Sequence, residues 1–182
     1  MVEIPYNKII EFLRGIVPFN ELPREVLSGL PQKISIDYFP RESLILKQDG
    51  SSCDYLYIIQ TGAVEKTVRK DDIFLEYKAE NDFFGSASLI NRTGPEFNVR
   101  AYEDTVCYLL PRETFDELMQ NHAGFHEYFA LRYFCASRGI GYSDLPIRRL
   151  LVQCHGRRPG QTETANMLTL SGNLFCGQID GP

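Results

Sequence analysis

The residues in this chain best placed to do chemistry are four in a row, Gly85-Ser86-Ala87-Ser88. A glycine just ahead of a helical turn lets backbone N–H groups converge on one point with no Cβ in the way. Such a point attracts anions, phosphate above all. An ordinary strand–turn–helix connection has the same form. Two histidines, His122 and His126, are spaced to share a helix face and reach one metal ion. A break at Ala123-Gly124 falls between them and no third ligand is evident, so they read as surface histidines. The acidic pairs Asp71-Asp72 and Glu103-Asp104 lie in turn-like runs, which use such pairs routinely. The sequence has no GxSxG elbow, no HExxH and no P-loop, and the chain reads as a non-enzyme.

The elements that must position these four residues run from Asn81 to Leu110. A polar turn ends in Phe83-Phe84-Gly85, Ser86 to Ile90 is long enough for one helical turn, and Gly94-Pro95 breaks the chain before a strand pattern from Val99 to Leu110. Around this stretch, short β-prone runs alternate with turns: Ile34 to Phe39, Leu44-Ile45-Leu46, Tyr55 to Ile59, Val64 to Val68 and Phe74 to Tyr77. Many short strands at even spacing predict a mainly β, antiparallel double-stranded β-helix or jelly roll with flanking helices. Ile34, Leu56, Ile58, Val64, Leu89, Val99, Val106 and Leu109 are expected to face inward. Three regions follow: N-terminal helices over 1–31, the roll and its C-terminal helices over 32–135, and an irregular tail over 136–182.

Helical stripes flank the roll. Ile9, Ile10, Phe12 and Leu13 lie before Gly15, Pro23 opens a short helix, and Thr114, Phe115, Leu118 and Met119 follow Pro111. The next helix carries Phe125, Tyr128, Phe129, Tyr133 and Phe134, which predicts a homodimer contact or a docking surface for an output domain. In the tail, glycines interrupt every periodic pattern, Arg148, Arg149, Arg157 and Arg158 are clustered, and Cys154-His155 with Cys176 are too few for a zinc site. The run Gln161 to Ser171 faintly resembles the start of a helix-turn-helix, but Thr169 stands where the turn wants glycine and the following GNLFCGQIDGP cannot build a recognition helix.

Composition bounds the function. The 182 residues are 43% hydrophobic, enough for one domain with a real core plus an appendage. The net charge of −5 argues against nucleic acid as a partner. The five cysteines include no CxxC pair, and an odd count without framework spacing favours a reducing cytoplasm. The N-terminus MVEIPYNKII lacks a signal-peptide pattern and no apolar run is long enough to cross a membrane.

The central stretch resembles the phosphate-binding cassette of cyclic-nucleotide-binding domains, as in the bacterial catabolite-activator proteins. That cassette reads Phe-Gly-Glu, an apolar helical turn, a short loop, then Arg-(Ser/Thr)-Ala-x-Val-x-Ala. This chain has Phe84-Gly85-Ser86, then Ala87 to Ile90, then Pro95-Glu96-Phe97-Asn98-Val99-Arg100-Ala101. Gln48-Asp49-Gly50, Asp54 to Ile59 and Thr61-Gly62-Ala63-Val64 match the same family's hairpin. Glu103 to Pro111 looks like the variant in bacterial signal-transduction proteins that precedes paired CBS modules and a nucleotidyltransferase-like domain. The resemblance covers roughly Val17 to Phe134 and implies a regulatory, ligand-sensing module with cyclic AMP or cyclic GMP as effector, no other cofactor, and no catalysis of its own. The implied ligand-binding residues are Phe84, Gly85, Ser86, Ala87, Ser88, Arg92, Glu96 and Phe97.

The chain departs from the pattern at its two charged positions. The family glutamate that holds the ribose hydroxyl is Ser86 here, and the arginine that pairs with the cyclic phosphate is Pro95, beside Glu96. Losing a charge-assisted, bidentate pair costs about 1.5–3 kcal/mol, or one to two decades of affinity. Cyclic nucleotides are therefore expected to bind weakly, and a neutral or differently shaped small-molecule effector fits better. Arg92 could serve only if its loop folded back, and Arg100 alternates with inward Val99 and Ala101, so it points out of the pocket. The alternative is a truncated catabolite-activator-like transcription regulator with a vestigial DNA-binding tail.

Overall fold

The computed structural model describes residues 6–68 and 73–137, with side chains throughout except at 73, 74 and 134–137. Expectations for Asp71-Asp72, Phe134 and the tail, including Arg148, Arg149, Cys154, His155, Arg157, Arg158, Gln161 to Ser171 and Cys176, lie outside these described side chains. No helix among the described residues is long and apolar enough to cross a membrane.

The elements run α1 (Tyr6–Arg14), α2 (Arg24–Gly29), β1 (Ser35–Phe39), β2 (Leu44–Leu46), β3 (Tyr55–Thr61), β4 (Val64–Val68), β5 (Ile73–Lys78), β6 (Phe83–Phe84), α3 (Ser86–Asn91), β7 (Asn98–Ala101), β8 (Thr105–Pro111), α4 (Arg112–Asn121) and α5 (Ala123–Ser137). The strands form two four-stranded antiparallel sheets, ordered β1-β8-β3-β6 and β2-β7-β4-β5. This is the antiparallel roll with flanking helices that the spacing of turns predicts.

The first sheet explains why Tyr55 to Ile59 reads as one apolar run, because both of its faces are covered. Tyr57 and Ile59 share a face with Leu109 and Cys107, and Tyr57 meets Phe39 and Phe84 there. Leu56 and Ile58 share the other face with Leu110 and Tyr108. That face carries the helices: Phe12 of α1 packs edge-on against Tyr108 at 5.2 Å, and Phe83 meets Tyr128 and Phe129 of α5.

Seven of the eight expected inward residues are buried, while Val106 is half-buried. The register gives the reason: Tyr38 pairs with Val106 and Ile36 with Tyr108, which puts Ile36 and Tyr38 on the helix-facing side of an edge strand. There Ile36 is 40% and Tyr38 54% exposed, so of the apolar residues of this strand only Phe39 faces the roll. The aromatic residues of α5 also turn inward. Phe125 and Phe129 are buried among Phe19, Phe83 and Phe115, with ring centroids 5.0–5.9 Å apart. Much of the surface that suggested a dimer contact is thus used inside the monomer, leaving Leu131 exposed on that helix.

Candidate functional site

Gly85 sets the geometry. Its φ of +89° is left-handed, and a Cβ there would lie 3.0 Å from the Tyr55 carbonyl oxygen and 3.3 Å from the Tyr57 ring. Only glycine takes both the angle and the approach without strain. The preceding Phe84 is held by stacking on Tyr57, with centroids 4.8 Å apart and planes within 7°. The Leu89 N–H then closes back on the Gly85 carbonyl at 3.1 Å, and α3 begins. Its first-turn N–H groups, on Ser86, Ala87 and Ser88, have no partner within the helix by construction.

Ser88 does other work. Its hydroxyl accepts from the Cys53 N–H at 2.9 Å and donates to the Thr93 carbonyl. It pins the short helix to the β2–β3 connection on one side and to its own exit loop on the other. That loop is stapled down again: the Asp49 N–H donates to the Pro95 carbonyl at 3.0 Å, and the Gln48 N–H to Asn98 Oδ1 at 2.8 Å. Gly94 lies so close to the Asp49-Gly50 turn that a Cβ would clash with the Gly50 oxygen.

Beside this staple opens a cavity of about 220 Å³, lined by Leu46, Cys53, Tyr55, Tyr57, Pro95 and the loop 50–52 among others. Burial pushes the Tyr57 hydroxyl up to about 12, so it stays neutral and can donate. Burial also raises the Cys53 thiol, partly offset by the Ser88 hydroxyl and Arg112. The position that the resemblance assigns to the phosphate-pairing arginine is thus a buried proline in the cavity wall, and Glu96 next to it is exposed.

Of the eight sequence-assigned residues, Phe84 to Ser88 form one ribbon against Cys53, Tyr55 and Tyr57. Arg92 is turned the other way, in an ion pair with Asp116 of α4 at 2.7 Å. Phe97 is half-buried, with Lys66 Nζ 4.5 Å above its ring centre. Arg100 donates to the Glu42 carbonyl at 2.9 Å, away from the buried Val99 and Ala101, as strand alternation predicts. His122 ends α4 and exposed His126 lies in the first turn of α5; no group of three or more His, Cys, Asp or Glu gathers among the described residues.

Sequence reasoning gave no role to Arg112. It donates to Ser52 Oγ at 2.9 Å and to the Cys53 carbonyl, and lies 3.5 Å from Asp54 Oδ1, locking α4 onto the cavity's rim. A signal existed: a cation in the first turn of a helix opposes the helix dipole and calls for a partner outside it.

A two-sheet antiparallel roll with a glycine-led helix stapled beside a small cavity has the fold of cyclic-nucleotide-binding domains. Residues 36–122 match the family model of the cyclic nucleotide-binding domain. A cAMP-dependent protein kinase regulatory subunit of Candida albicans is 30% identical over 96 residues, 53% of this chain and 19% of that subunit. The chain therefore spans about a fifth of that relative's length. Among solved structures, the regulatory domain of Toxoplasma gondii PKA with cAMP matches at TM-score 0.63 and 19% identity, over 70% of this chain and 49% of that one. A regulatory subunit of a cAMP-independent protein kinase A from Trypanosoma brucei, a triple mutant bound to cAMP in the A site, matches at 0.55 and 22%, over 69% and 50%. The sensor domain of the transcriptional regulator DNR from Pseudomonas aeruginosa matches at 0.59 and 15%, over 71% and 91%. At these identities the structural likenesses establish the fold.

Proposed function

We propose that this chain is a regulatory, ligand-sensing module that has kept the cassette's backbone and given up its charge. The observation that carries this reading is Pro95, buried in the cavity wall beside an intact Gly85–Ser88 ribbon. Cyclic AMP and cyclic GMP bind at high micromolar concentrations or above, and the cavity favours a neutral or differently shaped effector. The test is calorimetry with cyclic AMP on the unaltered chain and on Pro95→Arg with Glu96→Ala. Restoring the guanidinium and removing the carboxylate should tighten cyclic AMP by roughly 10–100-fold. Submicromolar affinity in the unaltered chain would overturn the reading.

The sensor acts by coupling to an output carried elsewhere, through α5 or through a second copy of the chain. The run Glu103 to Pro111, which contains β8, supports a signal-transduction setting of the bacterial kind, and the free, buried thiols of Cys53 and Cys107 support a reducing cytoplasm. A second reading, a transcription regulator, is favoured by the likeness to the DNR sensor domain. Its DNA-binding part would have to come from residues after 135.

A further inference from the structure

The second sheet carries charge on its inner face. In antiparallel pairing, residues directly opposite share a face. Lys66 pairs with Val99 on one side and Glu76 on the other, and Lys78 pairs with Val64. Val64 and Val99 belong to the buried core, so Lys66, Glu76 and Lys78 stand on the face turned into the roll. Lys66 Nζ lies 2.6 Å from Glu76 Oε1, and Lys78 Nζ lies 3.6 Å from the same oxygen. The lysine side chains are only 19% and 11% exposed. Asp82 and Arg132 also act on Lys78, with opposite sign.

One carboxylate is therefore shared by two ammonium groups, leaving a single positive charge in a place where bulk water cannot fully solvate it. An ammonium withdrawn from water needs a partner or loses its proton. Burial does lower the Lys78 pKa, against the pull of Glu76. Phe97 offers a flat face beside Lys66. The same cross-strand row continues through Val99 to Leu46, which lines the cavity. Two strand spacings separate Leu46 from Lys66, about 10 Å.

We propose that Lys66 and Lys78 take the single negative charge of a small organic anion whose flat ring lies between Phe97 and the cavity. The charge missing from the cassette is supplied by the opposite sheet. This rests on the ligand-sensing reading and, of the residues assigned to the cassette, uses only Phe97.

Two matched pairs of probes test it by thermal shift at fixed ionic strength: indole-3-acetate against indole-3-acetamide, and cyclic AMP against adenosine. At least one anion should raise the melting temperature in proportion to the logarithm of its concentration, while its neutral partner does so at tenfold higher concentration or not at all. The carboxylate and phosphodiester arms separate the two kinds of anion. Lys78→Met should weaken the effective anion at least tenfold, and Lys78→Arg should retain it. Neutral probes matching both anions, or Lys78→Met binding as well as the unaltered chain, would overturn the proposal. Should Lys78→Met not fold, the side-chain resonances of Lys66 and Lys78 in the unaltered chain decide: movement on titration with the anion supports the site, and stillness overturns it. A gain of cyclic AMP affinity in Pro95→Arg with Glu96→Ala would leave the sensor reading standing even if this site failed.

Discussion

Ser88 shows how one atom can decide whether a short helix holds its place. The hydroxyl closes two bonds at once, to the Cys53 N–H and the Thr93 carbonyl, and both Ser88 and Cys53 are buried. Ser88→Ala removes both and leaves a buried N–H without its acceptor, which costs about 1–3 kcal/mol. Chemical denaturation should show that loss as a lower midpoint with an unchanged slope. In the sequence, Ser88 was legible as part of the cassette but not as its anchor, since the partners lie 35 residues upstream and 5 downstream. Gly85 and the outward turn of Arg100 were legible, because backbone angle and strand parity are local properties. The pairing of Arg92 with Asp116 was not, because it depends on where α4 lands.

At the scale of elements, β5 and α5 make separate predictions. Burial raises the Glu76 carboxyl, but the hydrogen bond from Lys66 and the charges of Lys78 and Lys66 outweigh it, so its folded pKa lies below the ordinary value. Its stabilisation is therefore complete above the unfolded carboxylate range and is lost as pH falls through the folded pKa. A stability profile against pH should drop less steeply on its acid side in Glu76→Gln than in the unaltered chain. The side chain is half-exposed, so the difference will be modest. On α5, Phe129 is fully buried against Phe83, Phe115 and Phe125. Phe129→Ala should cost about 3–5 kcal/mol by the same denaturation measurement. The roll was readable from its turns and alternating runs. The sidedness of β1 was not, because Ile36 and Tyr38 look inward by composition, and only the register with β8 puts them on the uncovered end of the helix-facing side.

For the molecule as a whole, the two output readings differ in how the chain should meet DNA. Duplex DNA is held chiefly by neutralising phosphates, and affinity then falls steeply with salt. This chain carries 24 acidic against 19 basic residues, 24 minus 19 giving the net −5. Among the described residues several cations are committed elsewhere: Arg92 to Asp116, Arg112 to the Cys53 carbonyl and Asp54, Lys33 to Glu117, and Lys66 with Lys78 to the inside of the roll. A cluster of positive charge in the sequence, Arg148, Arg149, Arg157 and Arg158, lies within a span of 11 residues. Four arginines in a net-acidic chain contact too few phosphates to outlast physiological salt. A gel-shift titration with random-sequence duplex should therefore show retardation only at low ionic strength and none at about 150 mM. Saturable retention of one defined duplex at that salt, with a log–log salt slope indicating six or more phosphate contacts, would move the proposed output to transcription and assign DNA binding to the residues after 135.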